Sequence, residues 1–303
     1  MNQRLDISSE HDTRPRPRPG DGAAVPSVLI RPAQGWQLIN IGELWQYREL
    51  LCILAWRDVK VRYKQTALGA AWAVLQPLLM MFVFTIFFSR MAGVPSGGIP
   101  YPLFAYAGLL PWTFFATAIS AAGNSVVASE RLVTKIYFPR LVVPFAAVGA
   151  AVVDFLIAFG LLLAMMAYYR VPPGPGMMLL PLVFLAILLA ALGVGTLLAA
   201  LNVSYRDFRY VIPFLIQLWM FATPSVYMET ASRAPATADS HRLLHTALAA
   251  NPMTGLIRAF RATSLGSPIP WRELGISASC AALAFVIGCL YYRWVEDDFA
   301  DII

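Results

Sequence analysis

The sequence predicts an all-α integral membrane protein: about six transmembrane helices preceded by an amphipathic interfacial helix. Composition is the first observation, since 58% of residues are hydrophobic and 13% charged, against roughly 45–50% and 25% in soluble domains. Second, apolar runs near 68–90, 103–127, 141–168, 177–202, 209–228 and 274–294 are each long enough for the ~20 helical residues that cross a bilayer. These runs are continuous, whereas barrel strands would alternate apolar and polar residues. Third, Lys and Arg cluster on alternate sides of the runs.

In chain order, residues 1–36 read as a disordered cytoplasmic tail. Arg14-Pro15-Arg16-Pro17-Arg18-Pro19 has too little apolar surface to offset ordering, and its prolines favour an extended, solvated chain. No apolar h-region of a signal peptide precedes the first run, so insertion is expected to use the internal spans. Residues 37–66 form the interfacial helix, with Leu44, Trp45, Leu51, Leu54, Ala55 and Val59 for lipid and Arg57, Lys60, Arg62 and Lys64 for phosphates. Residues 67–296 form the six-helix domain and 297–303 a cytoplasmic C-terminal tail. Pro77, Pro111, Pro213 and Pro224 are expected to bend or interrupt spans.

Orientation follows from the positive-inside bias. The pre-membrane segment, the second loop (Arg131, Lys135, Arg140) and the fourth loop (Arg206, Arg209) share one side, while the short first and third loops offer Arg90 and Arg170. Both termini are therefore expected in the cytoplasm. The long fifth loop, about 229–273, carries five arginines but weighs little in this rule because of its length. It is placed outside. Its stretch from Ala247 to Leu265, with Asn251-Pro252 and Gly255, is too short to cross and reads as re-entrant or surface half-helices whose arginines face the exit.

Several functions are disfavoured by what is missing. The basic residues flank spans instead of forming a stripe on a soluble domain, which argues against nucleic acid. Cys52, Cys280 and Cys289 lack metal spacing, and His241 and His245 have no third ligand. Neither H-E-x-x-H nor G-x-S-x-G occurs, so an enzyme has no visible nucleophile or metal water. Lys60, Lys64 and Lys135 are the three lysines and none follows glycine, which rules out a phosphate-binding G-x-x-x-x-G-K-[ST] loop. Any ATP and Mg would belong to another chain.

The second loop, Ser129-Glu130-Arg131-Leu132-Val133-Thr134-Lys135-Ile136-Tyr137-Phe138-Pro139-Arg140, predicts a short helix capped by Ser129, with Glu130 at its positive end and Pro139 as its stop. It reads either as an interfacial loop or as a lever docking into a soluble partner. Asp154 is the sole acidic residue well inside a predicted span. Such a group serves either a functional site or a structural hydrogen bond between helices. Aromatics crowd the first, second and fifth spans, and sugar rings have apolar C–H faces that slide over such surfaces; Phe82, Phe87, Trp112, Phe115, Trp219 and Tyr227 are pore-aromatic candidates.

Taken in order, Arg57 to Lys64 with Leu68-Gly69, Gly108 to Trp112, Glu130 to Arg140, Asn202 to Tyr210, Ala222 to Tyr227 and Asn251 to Met253 resemble the Wzm-type permease subunits of polysaccharide and O-antigen ABC exporters, the ABC type-2 permease family. The resemblance covers about residues 40–295 and leaves out the Arg-Pro tail. It implies a half-transporter: a homodimer forming the pore, two copies of a nucleotide-binding ATPase subunit below, and a lipid-linked polysaccharide as cargo at the inner membrane. It also implies roles. Glu130, Arg131, Lys135, Tyr137, Phe138 and Pro139 would receive the ATPase stroke, with Arg206, Asp207 and Arg209 as a second contact. Trp56, Arg57, Lys60, Arg62, Tyr63 and Lys64, hinged at Leu68-Gly69, would form a cytoplasmic gate meeting the cargo's diphosphate headgroup, a bidentate ligand for guanidinium; a lipid anchor without substrate contact is the alternative. A long polymer cannot be enclosed in a chamber, so a conduit opening at each ATP cycle is the simpler mechanism. The rival readings are a type-2 permease for a drug or small lipid, and an ATP-independent secondary transporter using Asp154.

Overall fold

A computed structural model gives the chain's structure and describes residues 41–64, 71–87, 98–135, 138–223, 251–296 and 299. All regular elements among them are helical. Two short helices open the described chain, α1 (Ile41–Gln46) and α2 (Arg48–Lys64), followed by α3 (Ala71–Phe84). Next come α4 (Tyr101–Ala128), α5 (Glu130–Lys135) and α6 (Val142–Tyr168). A 3₁₀ turn (Pro175–Leu179) leads into α7 (Leu180–Ser204), and α8 (Phe208–Phe221), α9 (Pro252–Leu265) and α10 (Trp271–Val295) complete the bundle.

α4, α6, α7 with its leading turn, and α10 are long and apolar enough to cross a membrane, while Val74–Phe87 and Phe208–Phe221 are apolar but shorter. The described residues therefore give four full-length spans, and the expected first and fifth runs appear as shorter helices. Pro77, Pro111 and Pro213 lie inside α3, α4 and α8, which continue past them; Pro224 lies outside the described residues.

α4 is the centre. Leu103, Tyr106, Leu109, Leu110, Phe115 and Ile119 are fully buried along it, and α3, α6, α7, α8 and α9 all pack on it. Small residues let α7 and α10 approach closely: a methyl on Gly288 would strike the Gly193 carbonyl oxygen, and one on Gly193 the backbone at Phe285. Such contacts replace the hydrophobic drive that is lacking between helices in lipid. Polar ties add to them. Asn202 on α7 donates to the Gly123 carbonyl at 2.8 Å and to Asn124 at 3.3 Å, and the Tyr106 hydroxyl donates to the Ala158 carbonyl at 2.9 Å.

One end of the bundle gathers α5, the start of α6, the ends of α7 and α10, and α1–α2. Leu54, Val133, Phe138, Val142, Val203 and Tyr292 share a core there, and the Tyr292 hydroxyl donates to the Arg140 carbonyl at 3.0 Å. The segments that the charge pattern assigns to one side thus meet at one end.

The opposite end holds α9, and here the sequence reading is corrected. Of the re-entrant and surface alternatives, the burial of α9 excludes the surface one, and its arginines do not face out. Residues 253–257 and 259–265 are buried, the Arg261 guanidinium lies 3.8 Å from the Phe104 ring centroid, and Arg258 pairs with Glu273 of α10 at 2.8 Å. Buried arginine needs such partners. Gly266 ends α9 with φ +74°, the left-handed conformation that glycine adopts without a Cβ penalty.

Candidate functional site

α2 is positioned by its inner face. Leu50, Leu51 and Leu54 join the core at the α5 end, as does Leu44 of α1, and Ala55 reaches Gly149 of α6. A helix lying across the end of the bundle would keep its residues level with Val142. Instead α2 runs along α6 until Arg62 and Tyr63 bind Asp154, which lies twelve residues, about 18 Å at 1.5 Å per residue, beyond the start of α6. The apolar residues also divide. Leu44, Leu51, Leu54 and Val59 turn inward, but Trp45 and Trp56 are exposed on the outer side, so the single lipid-facing stripe expected from the sequence is split between two faces.

Asp154 is the junction. Arg62 donates to its Oδ2 and the Tyr63 hydroxyl to its Oδ1, with the Arg62 and Asp154 side chains 35% and 20% exposed. Both carboxylate oxygens accept from donors of α2, so Asp154 makes an interhelical tie. Burial first, then the hydrogen bond and charge of Asp154, push the Tyr63 phenol above its ordinary range, so it stays a donor.

Behind this tie is a cavity of about 380 Å³ between α2, α3, α4 and α6. Arg62, Tyr63, Gln76, Thr113, Thr117 and Asp154 supply its polar lining; Trp72, Pro77, Phe114 and Phe155 supply an apolar wall.

The other gate residues lie apart from Asp154. Arg57 pairs with its neighbour Asp58 at 2.8 Å, and Lys60 and Lys64 are exposed. Leu68 and Gly69 lie outside the described residues.

At the α5 end, Glu130, Arg131 and Lys135 are exposed on α5. The Ser129 carbonyl accepts from Leu132 and Val133, joining α5 to α4 through backbone. Phe138 and Pro139 are buried, so they anchor the loop and do not present a surface to a partner; Tyr137 lies outside the described residues. Arg206 and Asp207 are exposed between α7 and α8, and Arg209 is exposed on the first turn of α8.

The aromatic candidates separate in the same way. Phe82 and Phe87 on the α3 segment are exposed, but Trp112 and Phe115 are buried in the chain's own core. Trp219 packs edge-on against Phe115 at 5.1 Å. Trp112 and Phe115 therefore do not line a conduit in this conformation, because their ring area is spent on α4's neighbours. Tyr227, like His241 and His245, lies outside the described residues.

Sequence reasoning missed the part played by Asn251. Its Oδ1 accepts from Met253 N–H at 3.1 Å, capping α9, and from Trp219 Nε1–H at 3.0 Å. Its Nδ2 donates to Thr223 Oγ1 at 2.8 Å and to the Ala222 carbonyl at 3.2 Å. An Asn-Pro pair before a helical run is a capping signal; the partners on α8 carry no such signal.

Two comparisons bear on this arrangement. The family model described as ABC-2 type transporter matches residues 49–264, spanning α2 through nearly all of α9. The chain is 34% identical over 234 residues to the O-antigen export system permease protein RfbA of Myxococcus xanthus, covering 77% of this chain and 86% of that one. It is 26% identical over 266 residues to a protein of the same name from Klebsiella pneumoniae, covering 87% and 97%. With several membrane-length helices and a family match over most of its length, the chain is a multi-pass membrane protein that belongs to the ABC-2 type transporter family.

Proposed function

We propose that this chain is the membrane permease of an ATP-driven exporter that moves lipid-linked polysaccharide of the O-antigen kind out across the bacterial inner membrane. Two copies would form the conduit, and two copies of a separate ATPase, which carries the ATP and Mg, would bind at the α5 end. That end, with both termini, would face the cytoplasm. The chain itself performs no catalysis.

The observation that carries this reading is the 34% identity to an O-antigen export permease over 77% of the chain. Geometry supports the division of labour. The exposed charges of α5 and of residues 206–209 form a polar end for a soluble partner, while Phe82 and Phe87 of the α3 segment and Phe214 and Phe221 of α8 are exposed, surface for lipid or a second copy. α2, tied to α6 through Asp154, would act as the gate.

Deleting the gene tests the reading. Surface polysaccharide should vanish while lipid-linked polymer accumulates inside the cell, and the tagged chain should co-purify with an ATPase. Unchanged surface polysaccharide, with a drug or a small lipid retained instead, would replace the cargo assignment; intact transport without an ATPase would overturn the mechanism.

A further inference from the structure

α6 ends in a turn whose key position is an arginine. The Val171 N–H reaches back to the Met166 carbonyl at 3.0 Å and the Arg170 N–H to the Ala167 carbonyl at 3.2 Å, the paired bonds of a Schellman turn, whose left-handed residue is usually glycine. Here that residue is Arg170, with φ +56°, the one positive-φ residue other than glycine among the described residues. A Cβ makes this conformation unfavourable, so the chain keeps a strained side chain where glycine would be free of strain. The side chain is exposed, and no described carboxylate pairs with it. Beside it is a cavity of about 360 Å³. Leu163, Met166 and Ala167 line it from the last turns of α6, Val171, Pro172 and Pro173 line it from the chain beyond, and Arg170 is its single charged group. Leu163 and Ala167 also continue an exposed apolar face of α6 that begins at Leu156 and Gly160, spaced i, i+4, i+7, i+11.

Depth in the membrane fixes what can reach this place. The 27 residues of α6 rise about 40 Å at 1.5 Å each, close to the ~40–45 Å of a bilayer with its headgroups. Arg170, two residues past the end of α6, therefore stands at headgroup level, with the apolar face running from it into the hydrocarbon. Gly174 lies against Gly266, which puts the turn at the α9 end of the bundle. The cavity selects among the molecules found there. A free phosphate would meet one charged donor and six apolar residues, and an uncharged lipid would leave the guanidinium without an anion. A zwitterionic headgroup brings an ammonium, for which the cavity holds no carboxylate. We propose that this turn binds one anionic phospholipid of the leaflet at the α9 end, its phosphate on the Arg170 guanidinium, which suits phosphate oxygens bidentately, and an acyl chain in the cavity and along Leu163 and Ala167. The site is independent of what the chain exports.

The test uses the full-length chain in nanodiscs of phosphatidylcholine, with and without phosphatidylglycerol as the anionic probe. Arg170→Gly is the decisive variant, because glycine fits the left-handed turn and keeps the fold. In phosphatidylcholine alone it should unfold at a higher temperature than wild type, the strain being relieved. Phosphatidylglycerol should raise the wild-type midpoint, as a ligand of the folded state does, and leave the midpoint of Arg170→Gly where it was. A photoactivatable phosphatidylglycerol with a diazirine in its acyl chain should label the segment from Leu163 to Pro173. Arg170→Gly should lower that yield about five-fold, the factor that corresponds to ~1 kcal/mol per basic charge at an anionic lipid surface. Arg272→Ala, which removes an exposed arginine at the start of α10, should leave it unchanged. Equal labelling by a phosphatidylcholine probe would mean bulk annular lipid only and overturns the site, as does a phosphatidylglycerol-dependent rise that survives in Arg170→Gly. Lower stability of Arg170→Gly in phosphatidylcholine alone would assign the side chain to the fold and also rejects the proposal.

Discussion

Arg62 and Asp154 stand 92 residues apart in the chain and meet as an ion pair that ties the last turn of α2 to the middle of α6. Removing either charge breaks the ion pair in a partly buried site, a cost of about 1–3 kcal/mol, even though Tyr63 still donates to Asp154 when Arg62 is lost. Asp154→Asn and Arg62→Ala are each expected to lower the thermal unfolding midpoint of the protein in nanodiscs. Exchanging the charges, Arg62→Asp with Asp154→Arg, should recover part of the loss. If the exchanged protein is as unstable as the two single losses summed, the pair does not hold α2 in place.

Tyr63 gives this junction a pH signature. Its phenol is held above the ordinary value of 10.0, so the unfolded state ionises first as pH rises. The contribution of Tyr63 is therefore complete at neutral pH and declines above about pH 10. Tyr63→Phe should remove the hydrogen bond to Asp154 and flatten that alkaline decline relative to wild type, measured by thermal unfolding from pH 7 to 11. An unchanged alkaline slope would show that other tyrosines dominate it.

Asn251 should matter through both ends of its amide. Asn251→Ala loses the cap on α9, worth about 0.5–2 kcal/mol, together with the bonds to Trp219, Ala222 and Thr223. Asn251→Asp keeps the acceptor for Met253 and Trp219 and loses the donors. Stability is expected to fall further for the alanine variant, and equal losses would place the effect in the donor side alone.

Close helix approach predicts a contrast between two glycines. Gly288→Ala should abolish folded protein, because its methyl meets the Gly193 carbonyl, which is backbone and cannot move aside. Gly160→Ala faces nothing within 4 Å and should be neutral in yield and stability. Folded yield by size-exclusion profile reads both.

The exposed charges of α5 are expected to act on coupling. Glu130→Ala and Lys135→Ala should leave insertion and folding unchanged, since neither side chain is buried, while lowering the permease-dependent ATPase rate several-fold. Wild-type rates in both variants would remove α5 from the coupling contact.

The four long helices were legible because a continuous apolar run of sufficient length admits few alternatives. α5 was legible too, through Ser129 and Glu130 at its start and Pro139 beyond its end. Direction was less so. In a bundle apolar on every side the 3.6-residue pattern fades, so an aromatic such as Phe115 reads the same whether it faces the core or a conduit. The arginines of α9 were misdirected because Arg258 and Arg261 look like surface residues until Glu273 and Phe104 are found beside them. Asp154 signalled its need of a partner from the sequence alone, yet Arg62 and Tyr63 lie on an element whose path along α6 no local pattern encodes.

The central claim is that this chain, driven by a partner ATPase, exports a lipid-linked polysaccharide. Reconstituting chain and ATPase in liposomes that carry the lipid-linked glycan in the ATPase-facing leaflet tests it most directly. The account predicts ATP-dependent passage of glycan to the protected lumen, abolished when the ATPase cannot hydrolyse ATP. Passage that is independent of ATP, or ATP-driven movement of glycan-free lipid with the glycan left outside, would contradict it.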